Sequence, residues 1–256
     1  MGAAFYGVLV VSLSILLAVG GLALVQYLVP WQVRRQHNDV AGFIYAVLGV
    51  VYAVLLGFVT IVVWEDYEVA KTTTEVEANQ LTELFWLGGA LPEPQGERLQ
   101  ELAHSYAKVV IDEEWSMMEQ GQASPHAGAL ANEMRSIIYD FEPNNAAEQA
   151  LYNQGLERIH ELVDQRRLRL LEAREGMPVV LRGVLVVGGI IVVSFTYLFG
   201  LENTRSHTLM IAALAAIIAL VLFTIYALNH PFAGITRIKP DAFELVLGTM
   251  ERNLER

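Results

Sequence analysis

Cysteine is absent from this chain of 256 residues, which excludes disulfides and thiolate metal sites. The sequence also lacks the phosphate-binding GxxxxGK[ST] loop, the GxSxG turn of serine hydrolases and the HExxH zinc helix. Five of the histidines are scattered without the spacing of metal ligands: His104, His126, His160, His207 and His230. We therefore expect a protein that is not an enzyme and that holds no cofactor and no metal.

Charge is missing from four long stretches of the chain. The first 33 residues carry no charged side chain, and residues 40–64 form an uninterrupted apolar run of 25 residues. A helix of about 20 apolar residues crosses a bilayer and satisfies its own backbone hydrogen bonds. The sequence therefore predicts an all-α membrane protein with four transmembrane helices, at about residues 5–29, 40–64, 179–201 and 207–229. The first helix lacks the basic start and the cleavage site of a signal peptide, so we expect it to be retained.

Between the second and third spans lies a long polar segment, residues 65–178. It contains 22 Asp and Glu against 9 Lys and Arg, a net charge of −13. Such an acidic segment argues against nucleic-acid binding, which needs a basic surface. Strand-like alternation is absent, so we predict a helical extramembrane domain there. The predicted division of the chain is 1–64 (two spans), 65–178 (helical domain), 179–230 (two spans) and 231–256 (a tail with at most a short amphipathic helix).

The helical domain divides at its Gly and Pro residues. The second span is expected to continue outside the bilayer until Gly88 and Gly89. A second helix is predicted from Glu93 to Met118, and Ser124 with Pro125 predicts the N-cap of a third. A fourth, long helix follows Pro143 and Asn144. We expect the acidic side chains near the end of the second of these helices to form a solvated face: Asp112, Glu113, Glu114 and Glu119.

Basic residues close to the spans predict the orientation. Eight lie on the side of the large domain: Lys71, Arg166, Arg167, Arg169, Arg174, Arg182, Arg237 and Lys239. Only Arg34, Arg35 and Arg205 lie on the other side, so the positive-inside rule places the domain in the cytoplasm. The pair Arg34 and Arg35 directly after the first span favours the opposite orientation. The arginines from 166 to 182 could also concentrate anions, but setting the orientation is the simpler role.

The second span carries the most informative pattern. At about 100° per residue, its small residues fall in one stripe, which favours close helix packing in lipid: Gly42, Ala46, Gly49, Ala53 and Gly57. Beside this stripe, Val50, Val54 and Phe58 follow each other at i, i+4 and i+8. Around a symmetry axis these three would form stacked apolar rings, a constriction that blocks ions by dewetting. On spacing alone, ordinary packing against helices or lipid is the simpler interpretation.

Polar residues mark both ends of this span. Glu65, Asp66 and Glu68 follow it, and in an oligomeric pore they would form a negatively charged mouth that favours cations; solvated interface residues are the simpler alternative. His37, Asn38 and Asp39 precede it. This trio could bind a cation or relay protons, but we favour a structural role, either capping the helix or holding another loop.

The sequence resembles a known family. The run Leu55–Trp64, LLGFVTIVVW, is similar to the second transmembrane helix of bestrophin chloride channels. More closely, the chain resembles bacterial and plant membrane proteins with a bestrophin-like domain. The matching segments are HNDVAGFIYAVLGVVYAVLLGF (37–58), LPEPQGERL (91–99) and Asn229-His230-Pro231-Phe232. This second resemblance covers nearly the whole chain.

Bestrophins are pentamers whose pore is lined by this helix and narrowed by three apolar rings. The resemblance implies that Val50, Val54 and Phe58 form those rings, and that the partners are the lipid bilayer, four further copies of the chain, and permeant anions such as chloride. It also implies an integral protein of the bacterial inner (plasma) membrane. The neck proline and the calcium-binding acidic cluster of animal bestrophins are missing, so calcium gating is not implied.

Three functions follow as hypotheses. The first is a passive, anion-favouring ion channel. The second is a non-conducting membrane scaffold or sensor whose helical domain recruits a protein partner. The third is an enzyme or transporter that acts at His37, Asp39 and the acidic mouth. A transporter would be indicated by broken helices or by charges buried in the middle of a span, and the sequence shows neither.

Overall fold

Every regular element in the described part of the chain is helical. The computed structural model describes residues 2–174, 176–234 and 236–254, with side chains from residue 5 onward. Its α-helices, in chain order, are α1 (Gly2–Leu28), α2 (Trp31–Arg35), α3 (Asn38–Gly88), α4 (Gln95–Val109), α5 (Trp115–Met118), α6 (Pro125–Tyr139), α7 (Ala146–Arg174), α8 (Val179–Phe195), α9 (Thr204–Leu228) and α10 (Asp241–Leu254). A π-helical segment, Val110–Glu114, joins α4 to α5, and a 3-10 turn, Thr196–Leu198, follows α8.

Four of the described helices are long and apolar enough to cross a membrane: Phe5–Leu28, Asn38–Gly88, Val179–Leu198 and Thr204–Leu228. This confirms the predicted all-α fold with four spans. The second of these helices has 51 residues, about 75 Å at 1.5 Å per residue, and is therefore more than twice as long as a bilayer requires. It ends at Gly88, where the sequence places its stop signal.

The chain separates into two compact units. Met1–Glu65 and Met177–Asn229 form the transmembrane unit, and Asp66–Gly176 and His230–Arg256 form what we call the acidic unit. In the transmembrane unit, α1 and α9 share the most extensive packing, and α8 lies against both. Its buried apolar residues form three small clusters, which include Leu22 with Ile211 and Tyr52 with Ile218.

One large core fills the acidic unit. It contains Leu81, Leu84 and Phe85 from the second half of α3, together with residues of α4, α6 and α7. The C-terminal helix α10 belongs to this core, because Phe243 and Met250 are fully buried in it. The tail thus contains an amphipathic helix of 14 residues, and its apolar face packs against α4.

Two capped starts show how the sequence places these helices. The hydroxyl of Ser124 accepts hydrogen bonds from the backbone N–H groups of His126 (3.1 Å) and Ala127 (3.2 Å), and Pro125 occupies the first helical position of α6. The side chain of Asn203 accepts from the N–H groups of Arg205 and Ser206 at the start of α9. The first cap confirms the prediction made from Ser124 and Pro125.

Candidate functional site

One face of α3 packs inside the transmembrane unit. Tyr52, Val59 and Val63 are buried there, and spacings of seven and four residues place them on one side of the helix. The hydroxyl of Tyr52 donates a hydrogen bond of 2.8 Å to the backbone oxygen of Leu185 in α8. A buried hydroxyl needs such a partner, so this contact fixes how α3 is rotated within the unit.

The opposite face of α3 is open and apolar. Val50, Val54 and Phe58 leave 64%, 52% and 67% of their surface exposed, and the helical period places them away from Tyr52. These are the three residues predicted to form a constriction. Within a single chain they form an exposed row on the second span, so a lipid or another molecule must cover them, or they must line a space.

The small residues lie on the flank between those two faces. A methyl group placed on Gly49 or Gly57 would meet no described heavy atom within 4 Å, and on Gly42 it would meet only the ring of Phe199, at 3.9 Å. Ala46 and Ala53 are exposed as well. The predicted packing stripe is therefore not used by the helices of the same chain, and a second molecule has free access to it.

The predicted acidic mouth and polar trio have different environments. Glu65, Asp66 and Glu68 are all exposed on α3. Asn38 exchanges two hydrogen bonds of 3.0 Å with the backbone of Gly200, whereas His37 and Asp39 are exposed. Among the described residues no group of three or more His, Asp or Glu side chains could hold a metal ion.

The contact at Asn38 belongs to a tightly packed end of the transmembrane unit. Arg34 donates to the backbone oxygens of Tyr197 (2.9 Å) and Phe199 (3.2 Å), at the C-terminal end of α8 and its 3-10 turn, where basic side chains are favourable. Gly200 comes so close to α2 that an added methyl group would lie 2.3 Å from the backbone of Trp31 and of Arg35. Asn38 therefore holds the loop between α8 and α9 through Gly200, and interaction with another loop was one of the two structural roles considered for the polar trio.

A buried network of charges in the acidic unit was not predicted. Arg169 of α7 donates to both carboxylate oxygens of Glu77 on α3, at 2.6 and 2.9 Å, and to Glu114 at 2.9 Å. Arg166 completes the network with hydrogen bonds to Glu114 of 2.5 and 3.3 Å. The hydroxyl of Tyr106 donates to Glu77 at 2.6 Å. Two carboxylates and two guanidinium groups thus neutralise each other in the core.

This network corrects two expectations. Glu114, expected on a solvated helix face, is fully buried, and Arg169, expected to act near the membrane surface, is fully buried too. Burial would raise the pKa of Glu114, but the charge of Arg169 and the hydrogen bond from Arg166 outweigh burial and lower it. Burial and the charge of Glu77 raise the pKa of Tyr106 well above its usual value. Glu114 is therefore the ionised partner of both arginines.

The two other segments that carry the resemblance, residues 91–99 and 229–232, make structural contacts. In LPEPQGERL, Gly96 approaches α3 closely, since an added methyl group would lie 2.4 Å from the backbone oxygen of Gly88. In the segment that follows α9, Asn229 accepts a hydrogen bond of 2.7 Å from the backbone N–H of Met177. Phe232 is buried against Trp115, with ring centroids 5.8 Å apart. These contacts stabilise the fold.

Comparison with known proteins agrees with the resemblance. The model of the Bestrophin-like domain family matches residues 12–243. Crystal structures of a bacterial bestrophin homolog from Klebsiella pneumoniae are similar to this chain. The first, a variant, is 14% identical, covers 95% of this chain and 97% of that chain, and has a TM-score of 0.69. A second variant is 12% identical, covers 98% of this chain and 99% of that chain, and has a TM-score of 0.67. A further structure is 14% identical, covers 96% of each chain and has a TM-score of 0.63. At these identities the likeness is one of fold. No curated protein matches.

Proposed function

Because this chain belongs to the Bestrophin-like domain family, we propose that it assembles into a homo-oligomer, by resemblance a pentamer, that conducts ions passively through a pathway lined by α3. The protein is an integral membrane protein with four apolar spans. We place it in the bacterial inner membrane with the acidic unit in the cytoplasm, the side favoured by the Lys and Arg residues near the spans.

The observation that carries the proposal is the division of α3 into sides. The side with Tyr52 is used within the chain, the flank with Gly49 and Gly57 is vacant, and the side with Val50 and Val54 is exposed. A ring of subunits gives each side a partner. The flank with Gly49 and Gly57 contacts the next subunit, because small residues let helices approach closely in lipid. The row of Val50, Val54 and Phe58, which we call the valine row, faces the symmetry axis of the ring.

Three rings of apolar side chains would then narrow the pathway. Val50, Val54 and Phe58 each contribute one ring, and an apolar constriction excludes strongly hydrated ions by dewetting. Weakly hydrated anions lose their water more readily, so they are the ions we expect to pass when the constriction widens. This gives the three residues the role of the gate.

The test is the current across a planar bilayer that contains the purified oligomer, with a salt gradient imposed. Val54→Ala and Phe58→Ala should raise the conductance several-fold. Val186→Ala is the matched control, because Val186 is as exposed as Val54 (51% against 52%) but belongs to α8, which the proposal keeps out of the pathway. An equal effect of Val54→Ala and Val186→Ala would contradict a pathway lined by α3.

The reversal potential separates the candidate permeant ions. A reversal that follows chloride supports the anion channel. A reversal that follows the cation favours a second candidate, a cation channel, which is supported by the exposed carboxylates of Glu65, Asp66 and Glu68. No current from folded oligomer over a range of pH and calcium concentrations would contradict both channel proposals and leave the non-conducting scaffold.

A further inference from the structure

Tyr52 lies at the midpoint of the apolar run of α3, residues 40–64. The run extends for about 18 Å of helix in each direction from this residue. Tyrosine is ordinarily enriched at the membrane surface, where its hydroxyl meets water. In the hydrocarbon interior the hydroxyl needs a partner within the protein, and the backbone oxygen of Leu185 supplies it at 2.8 Å. A tyrosine at this depth therefore indicates a specific contact between α3 and α8.

Helix α8 is shaped to receive the ring of Tyr52. A methyl group added to Gly188 would lie 2.7 Å from the Cε2 atom of that ring, and one added to Gly189 would lie 2.8 Å from the hydroxyl oxygen. On its other side, the methyl group on Gly189 would lie 3.1 Å from Ile218 of α9. The two glycines thus form a notch in α8, closed by Ile218, that only a chain without side chains at 188 and 189 can offer to the ring.

The hydrogen bond of Tyr52 sets the rotation of α3 in the middle of the membrane. The start of α3 is attached separately, through Asn38, about 21 Å further along the helix. Between these two points, Tyr45 stacks on Phe195 with ring centroids 5.9 Å apart. Apolar contacts of this kind are non-directional and allow a helix to turn, whereas a hydrogen bond to a backbone oxygen requires one geometry.

Tyr52 also lies at the height of the valine row and on the opposite side of the helix. Val50 precedes it by two residues and Val54 follows it by two. Two residues turn a helix by about 200°, so each valine lies about 160° from Tyr52. As long as Tyr52 occupies the notch, the two valines therefore point away from the helices of their own chain and, in the proposed oligomer, toward the axis.

Each member of the valine row directly follows a small residue: Gly49 before Val50, Ala53 before Val54, and Gly57 before Phe58. Neighbours in sequence are about 100° apart around the helix. Rotation of α3 in one sense therefore withdraws all three large side chains from the axis and brings the three small ones toward it. Such a rotation widens the pathway, and it requires Tyr52 to leave the notch.

We propose that Tyr52 is a positioning residue of the gate, which holds α3 in the rotation that keeps the valine row at the axis and the channel closed. This inference rests on the proposed channel. Release of Tyr52 shifts the population of channels toward the widened pathway. Because Tyr52 lies behind the pathway and does not touch the ion, it governs how often the channel is open and not how much current an open channel passes.

The test is single-channel recording of the purified oligomer in a planar bilayer. Tyr52→Phe removes the hydroxyl and keeps the ring. It should raise the fraction of time spent open several-fold, with unchanged open-channel conductance, reversal potential and oligomeric mass. The control is Tyr45→Phe, which makes the same change seven residues earlier on the same side of α3. Tyr45 makes its contacts with Phe195 and Phe199 through its ring, so this variant should leave the open fraction unchanged.

A second pair of variants tests the notch from the side of α8. Gly188→Ala places a methyl group against the ring of Tyr52 and should also raise the open fraction. Gly183→Ala adds the same group to the same helix at a position where nothing lies within 4 Å, and it should behave as the natural chain does.

The outcomes separate this proposal from the channel itself. If Tyr52→Phe and Tyr45→Phe have the open fraction of the natural chain while Val54→Ala raises the conductance, the role of Tyr52 is overturned and the channel stands. A changed open-channel conductance or reversal potential in Tyr52→Phe would place the residue in the pathway, and a lost oligomer would make it a residue of assembly. Either result overturns the proposal. Silence of the natural chain, Tyr52→Phe and Val54→Ala alike overturns it together with the proposed function.

Discussion

Arg169 lies between Glu77 and Glu114 in the core of the acidic unit, 2.6 Å from one carboxylate and 2.9 Å from the other. Its guanidinium also faces the rings of Trp115 and Phe243, at 5.4 and 5.6 Å from their centroids. Because Glu77 belongs to α3, Glu114 to the π-helical segment and Phe243 to α10, one side chain joins three parts of the sequence.

Replacing Arg169 by Met should strongly destabilise the acidic unit. It leaves the buried carboxylate of Glu77 without a cation and Glu114 with Arg166 alone. Breaking a buried ion pair in this way costs about 3–5 kcal/mol. Arg169→Lys keeps the charge but loses the bidentate contact, so an intermediate loss is expected. The measurement is thermal unfolding in detergent, followed by tryptophan fluorescence. The control is Arg98→Met, because Arg98 pairs with Glu101 and Glu133 at the exposed surface, where ion pairs add little stability, so its loss should lower the unfolding temperature much less. Equal losses would contradict the central role of Arg169.

The stability of the acidic unit should fall on acidification. The pKa of Glu114 is lower in the folded chain than its ordinary value, because Arg169 and Arg166 outweigh the effect of burial. A glutamate with a lowered pKa contributes stability above its unfolded pKa, about 4.3, and this is lost as the pH falls through the folded value. Unfolding temperatures measured from pH 7 to pH 3 should therefore drop below about pH 4.5. Glu114→Gln should have a lower unfolding temperature than the natural chain at pH 7, and its unfolding temperature should fall less between pH 7 and pH 3. If the fall is as large as in the natural chain, other carboxylates are responsible for it.

The network escaped prediction because of one extra residue in a helix. A regular α-helix that continued from Tyr106 would turn Glu113 and Met117 toward the core. The π-helical segment Val110–Glu114 shifts the register, so Glu114 and Met118 are buried instead. Neither the helix propensities of these residues nor the spacing of the apolar ones indicates where a π turn is inserted. A glutamate in a run of acidic residues is ordinarily exposed to solvent, so Glu114 was expected to be exposed too.

Other parts of the fold were predictable because their causes are local. The four spans follow from the lack of charge over a bilayer's thickness, and the start of α6 follows from the capping chemistry of Ser124. The side of α3 that packs within the chain was not predicted, since every residue of the run is apolar or small. Which side faces a neighbouring subunit depends on molecules outside the chain, so the roles of Val50, Val54 and Phe58 stay predictions.

Gly200 should not tolerate a side chain. A methyl group there would come within 2.3 Å of two backbone atoms of α2, which cannot move aside as a flexible side chain can. Gly200→Ala should therefore displace the loop, weaken both hydrogen bonds to Asn38 and cost roughly 1–3 kcal/mol, the usual range for overpacking. Gly20→Ala is the control, since nothing lies within 4 Å of its added methyl group and alanine favours helix. Equal unfolding temperatures of the two variants would contradict the close approach of the loops.

Gly57→Leu should prevent assembly without unfolding the chain. The flank of α3 at Gly57 is vacant within the chain, so a leucine fits there in the monomer. In the proposed oligomer the same flank contacts the next subunit, and a large side chain would hold the two helices apart. Native mass spectrometry in detergent should therefore find mainly monomer for Gly57→Leu, with unchanged helical content by circular dichroism. Gly20→Leu adds the same side chain at an equally open position on α1 and should still assemble. If Gly57→Leu forms the same oligomer as the natural chain, the small-residue flank is not the subunit interface. The proposal that Val50, Val54 and Phe58 face the symmetry axis would then be contradicted.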